Sequence, residues 1–320
     1  MLVPTNKFCF QETNEMNSQE RRPKELLRIA KSRPDQVGDG FTIRRPMPGP
    51  AIQGINPFLL LDHAGPTPVE PSEVPRGVDE HPHRGFETVT VVLQGELEHR
   101  DSAGNSGHLR EGDVQWMTAA SGVVHEEKYG RDFTRRGGTV EMVQLWVNLP
   151  AKYKGEKPGY QDVRAEDIPL VELDGEGSKL RVIAGEFDGV KGGAKTFTPV
   201  MLFDVTLNPG ADILLPINTN HTTGLYVLRG GVLLEGGEIV RESELAGFTV
   251  EGDAIRVKAE EPTRFLLIGG EPIDEPVVSY GPFVMNSMDE IRQAYADYRE
   301  GKMGTLDIRI PDRNRSGVEA

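Results

Sequence analysis

Apolar and polar positions alternate along most of this chain with a period of two, in short runs bounded by glycine and proline. That pattern predicts strands rather than helices. Phe41–Arg45 alternates, and 57–63 (PFLLLDH) is a short apolar run suited to a buried strand. Phe86 to Leu93 is rich in β-branched residues, Gln94-Gly95 turns it, and Glu96 to Asp101 runs back. Residues 102–107 (SAGNSG) read as a loop by their turn chemistry. After His108 to Asp113, strands resume at Val114–Met117 and, past Ser121-Gly122, at Val123–Lys128. Thr139 to Asn148 is apolar on nearly both faces and is expected to be central in its sheet. Strands of this length separated by glycine turns predict a sandwich or jelly roll.

A second block of the same kind follows a linker at 152–158. Its strands are expected at Leu180–Ala184, Met201–Leu207, Ile213–Pro216, Gly224–Glu235, Gly247–Val250, Ala254–Ala259 and Arg264–Gly269. The phrase 225–230 (LYVLRG) echoes 92–95 (VLQG), and Glu251-Gly252-Asp253 echoes Glu111-Gly112-Asp113. The two blocks therefore read as copies of one small barrel. Near the C-terminus Ser287-Met288-Asp289-Glu290 has the form of a capping box, and Ile291, Ala294, Tyr295 and Tyr298 recur at helical spacing before Gly301. The expected fold is all-β. Its divisions are a disordered tail over 1–24, a first barrel over 25–160, a second over 161–286, and a short C-terminal helix and tail over 287–320.

Charge and composition narrow the function. Lysine and arginine number 36 against 50 acidic residues, so 36 − 50 gives −14. With no concentrated basic patch, so acidic a chain is not expected to bind nucleic acid directly. A single cysteine, Cys9, excludes an internal disulfide and suits a reducing compartment. No apolar run approaches a membrane span, and the N-terminus lacks the pattern of a secretory signal. The expected compartment is the cytoplasm.

The candidate chemistry lies in the first block. His81 and His83 stand two apart at the head of a β-patterned run, so their side chains share a face and can hold one ion, with Pro82 pointing away. His125 and Glu127 repeat that geometry. Three imidazoles and one carboxylate suit a divalent first-row metal, and four protein ligands leave positions open for substrate. Glu87 and Glu126 fail the same parity test. Phe86, Val91, Trp116 and Met117 are the expected apolar surround, able to exclude water and stack on a flat aromatic. The proline-rich loop 65–77, with Glu70 and Glu73, leads into His81 and is expected to form a lip of the site. His63 is expected to hydrogen-bond near the barrel mouth, while His99 and His108 sit beside charged residues and turns. The second block holds one histidine, His221, and so cannot carry the same site.

The stretches 81–89 (HPHRGFETV), 112–119 (GDVQWMTA), 124–127 (VHEE) and 281–286 (GPFVMN) resemble the pirin family of bicupins. The resemblance runs from about residue 25 to the C-terminal helix. It implies two tandem cupin barrels with a metal, usually iron, in the first only. The family's ligands fall here on His81, His83, His125 and Glu127. Two functions are implied. One is a quercetin 2,3-dioxygenase-like activity on a flavonol with dioxygen, in which Glu127 is also the acceptor of the substrate's hydroxyl proton. The other is an iron-containing, redox-sensitive regulator that binds a protein partner, nuclear in eukaryotes. Fe(II) is the expected ion, with nickel, cobalt, copper and manganese as alternatives.

Overall fold

The computed structural model describes residues 21–39 and 41–306. Most of the expected tail, and residues 307–320, lie outside that range. The chain opens with β1 (Leu26–Lys31), β2 (Arg33–Val37), β3 (Phe41–Met47) and β4 (Phe58–Val69). Next come β5 (Gly77–His83), β6 (Phe86–Gln94), β7 (Leu97–Asp101), β8 (Ser106–Leu109), β9 (Val114–Thr118) and β10 (Val123–Tyr129). The short helix α1 (Arg131–Arg136), β11 (Gly138–Asn148) and β12 (Gly159–Val163) complete the first half.

The second half begins with β13 (Leu170–Glu172), β14 (Lys179–Ala184) and a small hairpin, β15 (Glu186–Phe187) and β16 (Val190–Lys191). It continues through β17 (Val200–Leu207), β18 (Asp212–Pro216), β19 (Thr222–Arg229), β20 (Gly231–Leu234) and β21 (Ile239–Arg241). Then follow β22 (Glu244–Phe248), β23 (Ala254–Lys258) and β24 (Thr263–Gly270). A last hairpin, β25 (Val278–Tyr280) and β26 (Phe283–Met285), leads into α2 (Met288–Arg299).

Each half is an antiparallel barrel made of a seven-stranded and a four-stranded sheet. The first combines β12-β9-β6-β11-β4-β3-β2 with β5-β10-β7-β8, and the second β1-β22-β19-β24-β17-β14-β13 with β18-β23-β20-β21. The orders match strand for strand, which is the repeat that the sequence suggests. Their edge strands are exchanged across the boundaries drawn from sequence. β1 precedes the first barrel yet pairs with β22 of the second, and β12, at the expected boundary, pairs with β9 of the first. Just before β1, Pro23 bridges Ala254, and the buried Lys24 gives its ammonium to the carbonyls of His221, Thr249 and Val250. Residues 21–24 are thus held by the second barrel rather than free.

β11 is the central strand of its sheet, as its two apolar faces predict. The expected strand over 247–250 lies instead at Glu244–Phe248. Gly247 is inside it because Ile52 and Ile55 occupy the space a side chain would need, so a glycine read as a strand start is a packing position. The two Glu-Gly-Asp turns are not equivalent either. One feeds β9, while the other feeds β23, the counterpart of β10.

The two large sheets pack face to face over one apolar core. Val89, Val91 and Trp116 of the first meet Tyr226, Leu266 and Ile268 of the second. Because strand side chains alternate, the even positions of β6 turn the other way, into the first barrel. After the second barrel the chain returns to the first: Val124 packs with Phe283, Ile291, Ala294 and Met303. Ser287 Oγ caps α2 by accepting the Glu290 N–H, and the Glu290 carboxylate accepts from Asn286 N, one residue earlier than the sequence pattern implies. Among the described residues, no helix is long and apolar enough to cross a membrane.

Candidate metal centre

β10 pairs with β5 so that His125 lies directly opposite His81, and Val123 opposite His83. His83 is then the diagonal neighbour of His125, within reach of a ring on the same face. Ring centroids lie 4.7 Å apart for His81–His83, 4.3 Å for His81–His125 and 4.9 Å for His83–His125. One donor nitrogen from each ring lies within 4.8 Å of the others.

Hydrogen bonds fix which nitrogens face inward. His81 Nδ1 is 2.7 Å from the Asp79 carbonyl, and His83 Nδ1 is 3.3 Å from the Pro282 carbonyl. A carbonyl only accepts, so both Nδ1 atoms carry a proton and the Nε2 atoms are the ones turned toward the centre. Those Nε2 atoms are 3.1 Å apart. His125 Nε2 is buried with no hydrogen-bond partner. Leaving a polar atom so placed is costly. Burial, aided by the neighbouring His81, holds His83 and His125 well below the usual histidine range, so both stay neutral. Three imidazoles with converging ring nitrogens fit a divalent cation.

Glu127 stands apart from the three histidines. It is buried two residues after His125, with Oε1 3.0 Å from Thr90 Oγ1, and its oxygens are not among the donors that cluster within 4.8 Å. The structure therefore gathers three of the four expected donors and holds the fourth beside Thr90. No other cluster of this kind occurs among the described residues, His221 included.

The inner wall of this barrel is unusually polar. Register places Gln115, Thr90 and Gln144 in one row across β9, β6 and β11, and Met117, Thr88 and Trp146 in the next. On the matching wall of the second barrel stand Leu225, Val227, Phe265 and Leu267. The difference in site between the two barrels is therefore built into the walls as well as the ligands. Thr88 Oγ1, Gln115 Oε1 and Tyr160 OH are, like His125 Nε2, buried without a hydrogen-bond partner.

Several sequence expectations need correction here. Phe86 and Met117 face the site, but Val91 and Trp116 belong to the core between the barrels. Adjacent strand residues cannot both face inward, so Trp116 and Met117 could not both line the site. The aromatic beside the histidines is Trp146, 5.3 Å from His83 and 4.3 Å from Phe86 between ring centroids. His63 is not at a barrel mouth. It lies buried in the seam between the barrels, 2.7 Å from Glu141 and 3.1 Å from Tyr226 Oη. Glu87 lies on the inter-barrel side, where Thr118 Oγ1 donates to it at 2.7 Å, and Glu126 pairs with Arg100. On the loop 65–77, Glu73 faces Arg135 of α1 at 3.8 Å.

His99, expected only beside charged residues and turns, and Asp101, which the sequence does not single out, are both buried beside this centre. They form a His-x-Asp pair with the same i, i+2 spacing as the ligand pairs, on the strand next to β10. That spacing was a signal available without the structure. His108, by contrast, is paired with Glu96 at 2.9 Å.

Comparison with known proteins follows this geometry. Residues 40–147 match the family model for pirin, and residues 202–304 match that for the pirin C-terminal cupin domain. A Pseudomonas aeruginosa protein provisionally named a quercetin 2,3-dioxygenase is 48% identical over 83% of this chain and 93% of its own length. A pirin-like protein of Solanum lycopersicum is 41% identical over 90% of this chain and 96% of its own. The crystal structure of a quercetin 2,3-dioxygenase from Acinetobacter baumannii superposes with a TM-score of 0.85 at 43% identity, covering 89% of this chain and 99% of that one. With two cupin barrels and a histidine cluster in the first, this chain belongs to the pirin family.

Proposed function

We propose that the chain is a metal-dependent dioxygenase of the quercetin 2,3-dioxygenase type, acting on a flavonol with dioxygen. His81, His83, His125 and Glu127 would hold one Fe(II), the ion that the family resemblance implies; nickel, cobalt, copper or manganese would also suit the donors. The observation that carries this reading is the convergence of three imidazoles, two with Nδ1 tied to carbonyls and Nε2 turned inward and the third with Nε2 buried and unpartnered, in a barrel whose inner wall is lined with unsatisfied polar atoms. The names of the relatives supply the substrate class.

A divalent ion bound there supplies Lewis acidity and, for iron, redox chemistry. Phe86, Met117 and Trp146 give a flat aromatic an apolar wall and keep bulk water from the histidines. The Thr88 and Tyr160 hydroxyls can donate hydrogen bonds to the substrate's oxygens, and Gln115 Oε1 can accept from its hydroxyls. Glu127, held beside Thr90, takes the proton of the hydroxyl that approaches it.

The test is purification under nitrogen without added metal, elemental analysis, and then measurement of flavonol bleaching together with oxygen uptake. About one metal per chain is expected, with turnover lost in His83→Ala. Iron-loaded protein that consumes neither flavonol nor oxygen would overturn the activity.

A further inference from the structure

Behind His125 lies a line of buried groups that leads away from the proposed metal. His125 Nδ1 is 3.4 Å from His99 Nδ1, and His99 Nε2 is 3.4 Å from Asp101 Oδ2. Gln115 Nε2 is 3.3 Å from the same His99 Nδ1. His125, His99 and Asp101 are 0%, 3% and 6% exposed, so no bulk water competes for these contacts.

The donors and acceptors along this line can be assigned from chemistry alone. Asp101 is an acceptor: its Oδ1 receives the backbone N–H groups of Ala103 and Asn105, and its Oδ2 receives the Asn105 amide. His99 Nε2 must then be the donor toward Asp101. If the ring carries that one proton alone, His99 Nδ1 is an acceptor, and the Gln115 amide nitrogen, which only donates, and His125 Nδ1 share its single lone pair. His125 Nδ1, facing a lone pair, must carry the proton, and His125 Nε2 is left bare. That is the atom found buried and unpartnered.

We propose that Asp101, acting through His99, fixes the tautomer and ring plane of His125, so that Nε2 is presented unprotonated to the metal. Asp101 and His99 are positioning residues: neither is a ligand. Tyr160 supports the arrangement by stacking on His99, with centroids 4.9 Å apart and planes at 22°. Partners of this kind behind a ligating histidine are worth about 10- to 100-fold in metal affinity. The inference rests on the metal centre proposed above, and its test is built to separate the two.

Imidazole nitrogen NMR on the metal-free protein reads the tautomers directly. The expected result is a proton on Nδ1 of His125 and on Nε2 of His99, with the His125 preference lost in His99→Phe, which keeps the stacking on Tyr160. Cobalt(II) affinity, measured by chelator competition, is expected to fall about 10- to 100-fold in His99→Phe. It should recover in part in His99→Gln, which restores an acceptor. Asp101→Ala should shift the tautomers in the same way. A His125 that carries its proton on Nε2 in the wild type, or an unchanged cobalt affinity in His99→Phe, overturns the relay. Wild-type protein with the expected tautomers and no affinity for cobalt, iron or nickel would instead overturn the metal centre, and with it the relay's purpose.

Discussion

His81 and His125 face each other directly across the β5–β10 pair, with ring centroids 4.3 Å apart. This one register position joins a proposed ligand from each His-containing motif, although 43 residues of sequence separate them (125 − 81 = 44, less one). Replacing either with alanine leaves two nitrogens. Metal content after purification is expected to fall from about one equivalent to under a tenth. A metal held at 100 times its Kd stabilises a protein by about 2.7 kcal/mol, and the variants should lose that increment while the metal-free melting point moves little. Thermal melts with and without cobalt(II) would show it. Metal-dependent stabilisation that survives in His125→Ala would place the ion elsewhere.

The C-terminal return is tied to this centre by Lys154. Its ammonium is buried and donates to the carbonyl of Gly85 at 2.6 Å, to Asn148 Oδ1 at 2.8 Å and to the carbonyl of Val284 at 2.9 Å. Gly85 links β5 to β6 at φ +91°, and a side chain there would meet the Val284 carbonyl at 1.9 Å. The neighbouring Pro282 carbonyl orients His83. Lys154→Met leaves three buried acceptors without their donor and is expected to cost about 2–4 kcal/mol in urea unfolding. Metal affinity should weaken as well, because His83 loses a fixed partner. A loss below about 0.5 kcal/mol would show that the return segment is held by its apolar contacts alone.

Much of this was legible beforehand because strand geometry is simple. The i, i+2 rule put His81 with His83, and His125 was rightly expected beside them. The apolar faces of 139–148 announced a central strand. What the chain could not reveal was which face of a two-sided strand meets the barrel interior and which meets the second barrel. Both faces of β6 and β9 are buried, so Trp116, expected at the site, lies in the core between the barrels. Parity also puts Glu127 on the face of His125, and there its carboxylate accepts from Thr90 Oγ1. The pairing of β1 with β22 of the second barrel was equally hidden, since pairing across some 200 residues leaves no local mark.

Trp146 and Phe86 pack on each other beside His83, with His83–Phe86 centroids 5.1 Å apart and His83–Trp146 5.3 Å. Aromatic pairs of this geometry contribute about 0.5–1.5 kcal/mol each beyond their buried area. Trp146→Leu keeps an apolar wall but removes the flat surface. Flavonol affinity is expected to drop about tenfold, as 1.4 kcal/mol corresponds to that factor, while metal content stays near that of the wild type. Fluorescence quenching by the flavonol would have to be followed through other residues, so calorimetric titration is the better measurement. Unchanged affinity would remove Trp146 from the substrate wall.

Glu87 provides a pH test that leaves the histidines untouched. Burial between the barrels pushes its carboxyl up to about 7, from 4.5, with the Thr118 hydroxyl opposing the shift. Below pH 4.5 the group is protonated in both folded and unfolded chains and costs nothing. From there to about pH 7 the unfolded chain ionises while the folded one keeps its proton, so the contribution of this group to stability falls as pH rises. Above pH 7 the loss is constant at about 3 kcal/mol. Glu87→Gln keeps an acceptor for Thr118 and does not titrate. Urea unfolding at pH 5 and pH 8 should therefore show a drop across that interval that is larger in the wild type than in the variant, by about 2–3 kcal/mol. An equal drop in both would mean that the folded protein holds Glu87 ionised, which would require a cation in the inter-barrel core within reach of its carboxylate. Because Phe86 and Thr88, on either side of Glu87, line the opposite face of β6, the same pair of proteins also asks whether charge between the barrels is felt at the site. Equal cobalt(II) affinity at pH 8 is expected, since side chains on the two faces of one strand share no contact.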